Sequence, residues 1–268
     1  MNPTFSGSLA SVDGAIMLAS GATIPATDEG LLRGDGVFEV IRVYDGRPFA
    51  LEDHLRRLER SALNLRLPLD VEAIRADANR LLAHAGAGPD HELLRIVITR
   101  GGRRVLLTEP MPEMPELIRL GSVTYSPTVV LDGVKSLSYA ANRLASRLAR
   151  ERGFDEALLV TPAGGVLEGP TSSIFWVERG ETLTPPLDGH ILASITRRLV
   201  IQETGAAERS CTLEELMAAD EAFLASTVRE VHPVAAVDGR EFAAPGPVTN
   251  SIAAAVGERI RSELASAT

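Results

Sequence analysis

Lysine is almost absent from this chain of 268 residues: of its 27 Lys and Arg, 26 are arginine and the one exception is Lys135. Arginine can serve any surface ion pair, with a permanent charge and a better hydrogen-bonding fork, whereas a reversible adduct with a carbonyl needs a primary amine that can lose its proton. Lys135 is therefore either a chance survivor on the surface or a position where arginine would fail. Cysteine is equally scarce. The single Cys211 excludes an internal disulfide framework and suits a reducing compartment, and with no histidine near it in sequence it is not expected to act as a nucleophile. There is no long uncharged apolar run and no basic-then-apolar leader, so no membrane partner and a cytoplasmic location are expected. Positive charge is outweighed to a net -9, which argues against a general nucleic-acid or anionic-membrane partner while leaving local arginine clusters able to bind small anions. With 45% hydrophobic and 24% charged residues, the chain has the make-up of a globular protein with one large core or two smaller ones.

Residues 4–18 read as a strand pair around Val12-Asp13-Gly14-Ala15, and residues 36–51 as a hairpin turning at Asp45-Gly46. Between them lies Arg33-Gly34-Asp35-Gly36, a poor phosphate loop because no helical pattern follows it. Residues 51–67 form an amphipathic helix with Leu51, Leu55, Leu58, Ala62 and Leu65 at helical spacing; a second helix spans 71–85, and residues 92–99 form a strand carrying Arg95. Glu109-Pro-Met-Pro-Glu-Met-Pro115 favours an extended segment. The expected organisation is an N-terminal α/β domain over 1–108, a proline-rich linker over 109–115 and a C-terminal domain over 116–268. Strand-like sequence over 116–131 leads to Lys135 at a strand-to-helix junction. The next helix carries Leu137, Ala141, Leu144, Ala145 and Leu148 on one stripe and stops at Gly153. Two apolar runs, 157–160 and 174–177, flank a glycine-rich turn and Val166-Leu167-Glu168-Gly169. Ser194 is a good N-cap for a helix from Ile195, whose first N–H groups and positive dipole end suit a phosphate. Thr212 and Glu215 form a capping box, and a last helix over 249–264 reads as plain packing.

Lys135-Ser-Leu-Ser-Tyr139, Asp155-Glu-Ala-Leu-Leu-Val160 and Val166-Leu-Glu-Gly-Pro-Thr-Ser-Ser-Ile-Phe175, in that order and spacing, resemble the class IV aminotransferases, the fold-type IV pyridoxal-phosphate enzymes. That family includes D-amino acid transaminases, branched-chain aminotransferases, R-selective amine transaminases and aminodeoxychorismate lyase. The likeness runs from about Gly30 to Asp238. It implies an α/β (α+β) fold of two domains, a smaller N-terminal α/β sandwich and a larger C-terminal α/β pseudo-barrel. It also implies pyridoxal 5'-phosphate held as a Schiff base on Lys135, which as a free amine then moves the substrate proton. Glu168 matches the family carboxylate beside the pyridine nitrogen. His54-x-x-Arg57-Leu58 and Ser61-Ala62 match the segment whose arginine binds the phosphate, and a guanidinium fork suits a phosphate dianion. Ile195 and Thr196 match the residues whose amides hold the phosphate, with Ser194 in place of a usual glycine and Leu192 against the ring. Ser226 and Thr227 complete the phosphate cup, and Tyr139 hydrogen-bonds the ring oxygen. Ser172 and Ser173 belong to a stretch that in the family often ends in Asn and here contacts the cofactor. No metal is implied.

For the substrate, the resemblance makes Arg33 and Phe38 part of the active-site wall. Many D-amino acid transaminases hold the substrate carboxylate with an Arg-x-His pair after Thr-Arg-Gly; here Thr99-Arg100-Gly101 leads into a tight turn without histidine. Arg95 and Arg33 are the candidate substitutes, and two structural ion pairs are the other reading of them. Val40 and Tyr139 stand where some lyases carry a hydroxyl residue and an arginine. They favour transamination, and the reading adopted is a transaminase acting between a D-amino acid and a 2-oxo acid, 2-oxoglutarate or pyruvate. Aminodeoxychorismate lyase and a branched-chain or R-amine transaminase are the alternatives. Family members are homodimers, so Arg33 or His54 is expected to act across an interface.

Overall fold

The computed structural model describes residues 7–266, so residues 4–6 of the expected first hairpin lie outside it. The chain divides into two units: the first runs to Glu113 and also takes up Val134–Tyr139, and the second holds Met114–Gly133 and the chain from Ala140 onward.

The first unit contains β1 (Leu9–Val12), β2 (Ala15–Leu18), α1 (Glu29–Arg33), β3 (Gly36–Tyr44), β4 (Arg47–Pro48), α2 (Leu51–Asn64), α3 (Val71–Ala85), β5 (Leu93–Thr99) and β6 (Arg104–Glu109). Its strands form one antiparallel sheet in the order β2-β1-β6-β5-β3-β4. Strand periodicity divides β3 between two faces. Val37, Ile41 and Val43 join Leu94, Ile96, Ile98 and Leu106 under Leu55 and Leu58 of α2 and Ile74 and Leu81 of α3. The opposite face carries Phe38, Val40, Arg95, Val97, Val105 and Leu107 and takes no part in that core.

Val134–Tyr139 runs beside the start of β3. Ser136 bridges antiparallel to Val37, the Phe38 N–H donates to the Lys135 carbonyl at 3.0 Å, and the Leu137 N–H donates to the Gly36 carbonyl at 2.9 Å. Gly36 makes this approach possible. A Cβ there would lie 2.4 Å from the Ile98 carbonyl oxygen and 2.6 Å from Leu137 Cδ1.

The second unit contains β7 (Ile118–Thr124), α4 (Ala140–Glu151), β8 (Glu156–Val160), β9 (Ser173–Glu178), β10 (Glu181–Thr184), α5 (Ile195–Thr204), β11 (Ala207–Glu208), α6 (Leu213–Met217), β12 (Glu221–Ser226), β13 (Glu230–Val237), β14 (Arg240–Glu241) and α7 (Pro247–Ser266). Its sheet has the order β11-β10-β9-β12-β13-β7-β8, with β14 on β13. β7 lies parallel to both β8 and β13. Ile118, Leu158, Ile174, Trp176, Leu224 and Val234 fill its core.

Three elements depart from the sequence expectation. β7 stops at Thr124, and Pro127, which has no N–H for a ladder, lies in the irregular stretch that leads to a single 3-10 turn over Val129–Leu131. α4 buries Ala145, Ser146 and Ala149, while Leu144 and Leu148 are exposed and Leu137 precedes the helix. The small residues allow close approach to β8, where Ser146 Oγ donates to the buried Glu156 carboxylate at 2.6 Å. α7 begins at Pro247, before the expected Thr249, because the Glu221 carboxylate accepts the N–H groups of Val248 and Thr249 at 3.0 and 2.8 Å. The capping box of Thr212 and Glu215 forms as its spacing requires. Among the described residues no helix is long and apolar enough to cross a membrane.

Candidate active site

In the first unit, the register that pairs Ser136 with Val37 sets Lys135 beside Phe38, on the face away from the helices. The Lys135 N–H donates to Ser61 Oγ, buried in α2, at 3.1 Å. Lys135 Nζ stands 4.5 Å from the centroid of the Phe38 ring, and Tyr139 meets that ring edge-on at 5.3 Å. The aromatic faces attract an ammonium and restrict a side chain that is otherwise free to sample many rotamers.

On the core side of the same strand, Glu39 is fully buried. Its carboxylate accepts Arg57 Nε and Nη2, both at 2.7 Å, and His54 Nδ1 lies 2.8 Å from Oε2. Burial alone would raise the Glu39 carboxyl, but the Arg57 charge and the hydrogen bonds from Arg57 and His54 outweigh it and hold the group down to about 2. Burial lowers His54, so a neutral imidazole gives its Nδ1–H to Glu39. Arg57, matched by its motif to a phosphate ligand, is thus gripped through Nε and Nη2 inside the first unit. No motif of the sequence assigns Glu39 a role; a carboxylate on the parity of Val37, Ile41 and Val43 is the signal for it.

The two arginines considered for a carboxylate clamp each hold an acid of their own unit. Arg33 is exposed at the end of α1 and pairs with Glu29 one turn back. Arg95 gives Nε and Nη2 to the two Glu109 oxygens at 2.7 and 2.9 Å. Arg95 and Phe38 are brought together, with the guanidinium carbon 6.0 Å from the ring centroid. Arg33 lies on another element, ahead of β3.

In the second unit, Glu168 lies between β8 and β9, where its carbonyl accepts the Leu159 N–H at 2.9 Å. Its carboxylate oxygens accept the Leu192 N–H at 3.2 and 3.4 Å, which brings together two residues that the resemblance assigns to one ring. Burial, and then the Glu168 charge, raise the Tyr125 hydroxyl, which marks an anionic environment there. Ser172 and Ser173 are buried, and neither hydroxyl has a hydrogen-bond partner. Gly169 leaves the room, since a Cβ on it would lie 2.6 Å from Ser172 Oγ. Ser173 opens β9 opposite Ala225, and the next residue, Ser226, ends β12. Ser226 Oγ accepts the Arg229 N–H at 3.2 Å, while the Arg229 guanidinium reaches the buried Glu156 carboxylate at 3.1 Å; Thr227, half-buried, lies in the same turn. Ser194 caps α5 by accepting the Arg197 N–H, and Ile195 and Thr196 head the helix, where N–H groups have no carbonyl partner within it. Unpartnered buried hydroxyls and a helix N-terminus form a donor set that fits a phosphate dianion. Burial pushes the Cys211 thiol up to about 12, which leaves it unsuited to nucleophilic work.

Comparison with known proteins agrees with these features. Residues 36–237 match the family model described as amino-transferase class IV. The chain is 37% identical to a protein of Methanocaldococcus jannaschii named as a putative branched-chain-amino-acid aminotransferase, over 82% of this chain and 84% of that protein. It is 30% identical to a D-alanine aminotransferase of Bacillus licheniformis, over 94% of this chain and 97% of that protein. Its fold resembles that of a hypothetical aminotransferase from Mycobacterium tuberculosis solved in a PLP-bound form, with a TM-score of 0.85 and 26% identity over 96% and 100% of the two chains. The chain therefore belongs to the class IV amino-transferases, the fold-type IV aminotransferases that work with pyridoxal 5'-phosphate.

Proposed function

We propose that the protein transfers an amino group between a D-amino acid and a 2-oxo acid, pyruvate or 2-oxoglutarate, using pyridoxal 5'-phosphate tethered to Lys135. The observation that carries this reading is the only lysine of the chain, fixed by strand register beside Phe38 and Tyr139. When bound, the cofactor supplies a sink for the electrons released as the bond to the substrate's α-hydrogen breaks. Lys135 Nζ takes that proton and returns it, a task that a guanidinium cannot perform. Glu168, oriented by the Leu192 N–H, would keep the pyridine nitrogen protonated. By the family match, Ser172, Ser173, Ser226, Thr227, Arg57 and the amides of Ile195 and Thr196 would hold the phosphate, Leu192 would pack against the ring, and Tyr139 would bond its oxygen. Phe38 and Tyr139 limit water around the amine.

The D-donor is supported by the D-alanine aminotransferase that matches almost end to end. A branched-chain donor is the second reading, favoured by the branched-chain relative and by the apolar face of Val40, Val97, Val105 and Leu107. The working form is a homodimer. Exposed Leu31, Leu32, Val129 and Val130 support this by offering apolar surface for a second copy. Titration with D-alanine and with L-valine, followed by the visible absorbance of the bound cofactor, tests the assignment. Loss of the band with D-alanine and its return with pyruvate is the expected result. Loss with L-valine alone transfers the assignment to the second reading, and no response to either removes the transaminase.

A further inference from the structure

The pair formed by Arg95 and Glu109 stands in an unusual place for a structural ion pair. Arg95 lies opposite Val40, two residues along β3 from Phe38, so Arg95, Phe38 and Lys135 share the face that the helices leave free. Lys135 Nζ lies 4.5 Å and the Arg95 guanidinium carbon 6.0 Å from the centroid of the same Phe38 ring. A substrate whose amine is at Lys135 is therefore within reach of Arg95. Val40, Val97 and Leu107 sit on the same face beside them, and Arg42 lies farther along it, opposite Leu93. Yet Nε and Nη2, the edge of the guanidinium best shaped for a carboxylate, already hold both oxygens of Glu109. The pair is about one-third exposed, with side-chain values of 33% and 29%. An ion pair so placed is weak enough to open, but a second carboxylate entering there must displace the first and meets its charge while doing so.

We propose that Glu109 is a specificity-determining residue acting through Arg95. By occupying the guanidinium it turns the lysine face away from substrates with a distal carboxylate and toward those with a short or apolar side chain. The inference rests on the transaminase reading above and refines it: pyruvate and other monocarboxylate 2-oxo acids are preferred over 2-oxoglutarate. Glu109 positions Arg95 and takes no part in the proton transfer.

The test is steady-state kinetics of the holoenzyme with Glu109→Gln and Glu109→Asp. Glu109→Gln should lower KM for 2-oxoglutarate by about fivefold, the upper range for a partly exposed charge pair, while kcat and the KM for pyruvate stay within about twofold. Glu109→Asp, which keeps the charge, should retain most of the original discrimination. A second readout needs no turnover: calorimetric binding of glutarate, a dicarboxylate without a carbonyl, to cofactor-free protein should tighten by a similar factor in Glu109→Gln and revert in Arg95→Ala/Glu109→Gln. Equal shifts for both 2-oxo acids, or glutarate binding indifferent to Glu109, would overturn the proposal. If no 2-oxo acid is turned over by the wild type, the transaminase reading fails, and the glutarate arm still decides the role of Glu109.

Discussion

Replacing Glu39 with Gln keeps the shape and one acceptor oxygen but removes the charge shared by Arg57 and His54. The drop of its carboxyl from the ordinary 4.5 to about 2 is equivalent to roughly 3 kcal/mol of folding free energy at neutral pH. Breaking a buried pair from one side gives the same order, about 3–5 kcal/mol, because Arg57 is left uncompensated in the core. For a chain of this size such a loss lowers the melting temperature by on the order of 10 °C. The sign of the pH dependence follows from the depressed carboxyl: its contribution is complete above the unfolded value of 4.5 and is lost as pH falls toward 2. His54 acts in the same sense. The fold keeps it neutral, so acid below its ordinary 6.5 favours the unfolded chain, which takes up the proton. Urea titrations followed by circular dichroism at neutral pH and at about pH 2.5 should show the wild type losing most of its advantage over Glu39→Gln on acidification. Equal stability of the two proteins at neutral pH, within about 0.5 kcal/mol, would refute the reasoning. A gap unchanged by acid would assign the loss to packing instead of charge.

Lys135→Arg should fold with an unchanged melting temperature and lose turnover completely, because the guanidinium neither forms the tether nor gives up a proton; measurable turnover in that variant would remove Lys135 from the chemistry. Arg229→Met should cost about 3 kcal/mol by stranding the buried Glu156, and adding Glu156→Gln should recover most of it in denaturant titrations.

Features encoded by near neighbours were legible in the sequence. The capping box of Thr212 and Glu215 and the apolar stripe of α2 repeat within one or two helical turns; the box formed as read, and Leu55, Leu58 and Ala62 are buried as the stripe requires, although the helix ends at Asn64 and leaves Leu65 at its C-cap. The stripe of α4 was misread because leucine outranks alanine in any hydrophobicity count, whereas the deciding factor was the close approach to β8 and the buried Glu156. The candidate site divides along the same line. Lys135 was visible as a compositional exception and Glu168 through its flanking motif. The partners of Glu39 lie 15 and 18 residues away on a helix, and Glu109 meets Arg95 only across a strand pair, so no local pattern announces either. The bond from Glu168 to Leu192 spans 24 residues and is equally silent in the sequence.

The segment carrying Lys135 also sets a timetable for biosynthesis. The backbone groups of Gly36 and Phe38 that it satisfies are made early, but the residues that satisfy them follow a stretch, Met114–Gly133, that belongs to the other unit. Translation from Glu113 to Tyr139 takes about 1–5 s at ordinary elongation rates, and for that interval the nascent sheet has an open flank able to pair with any extended neighbour. A fragment ending near Glu113 keeps that flank permanently and should be prone to self-association. In the full chain, closure of the flank and delivery of the reactive amine are the same event, so the amine reaches its aromatic surroundings only as the sheet is sealed.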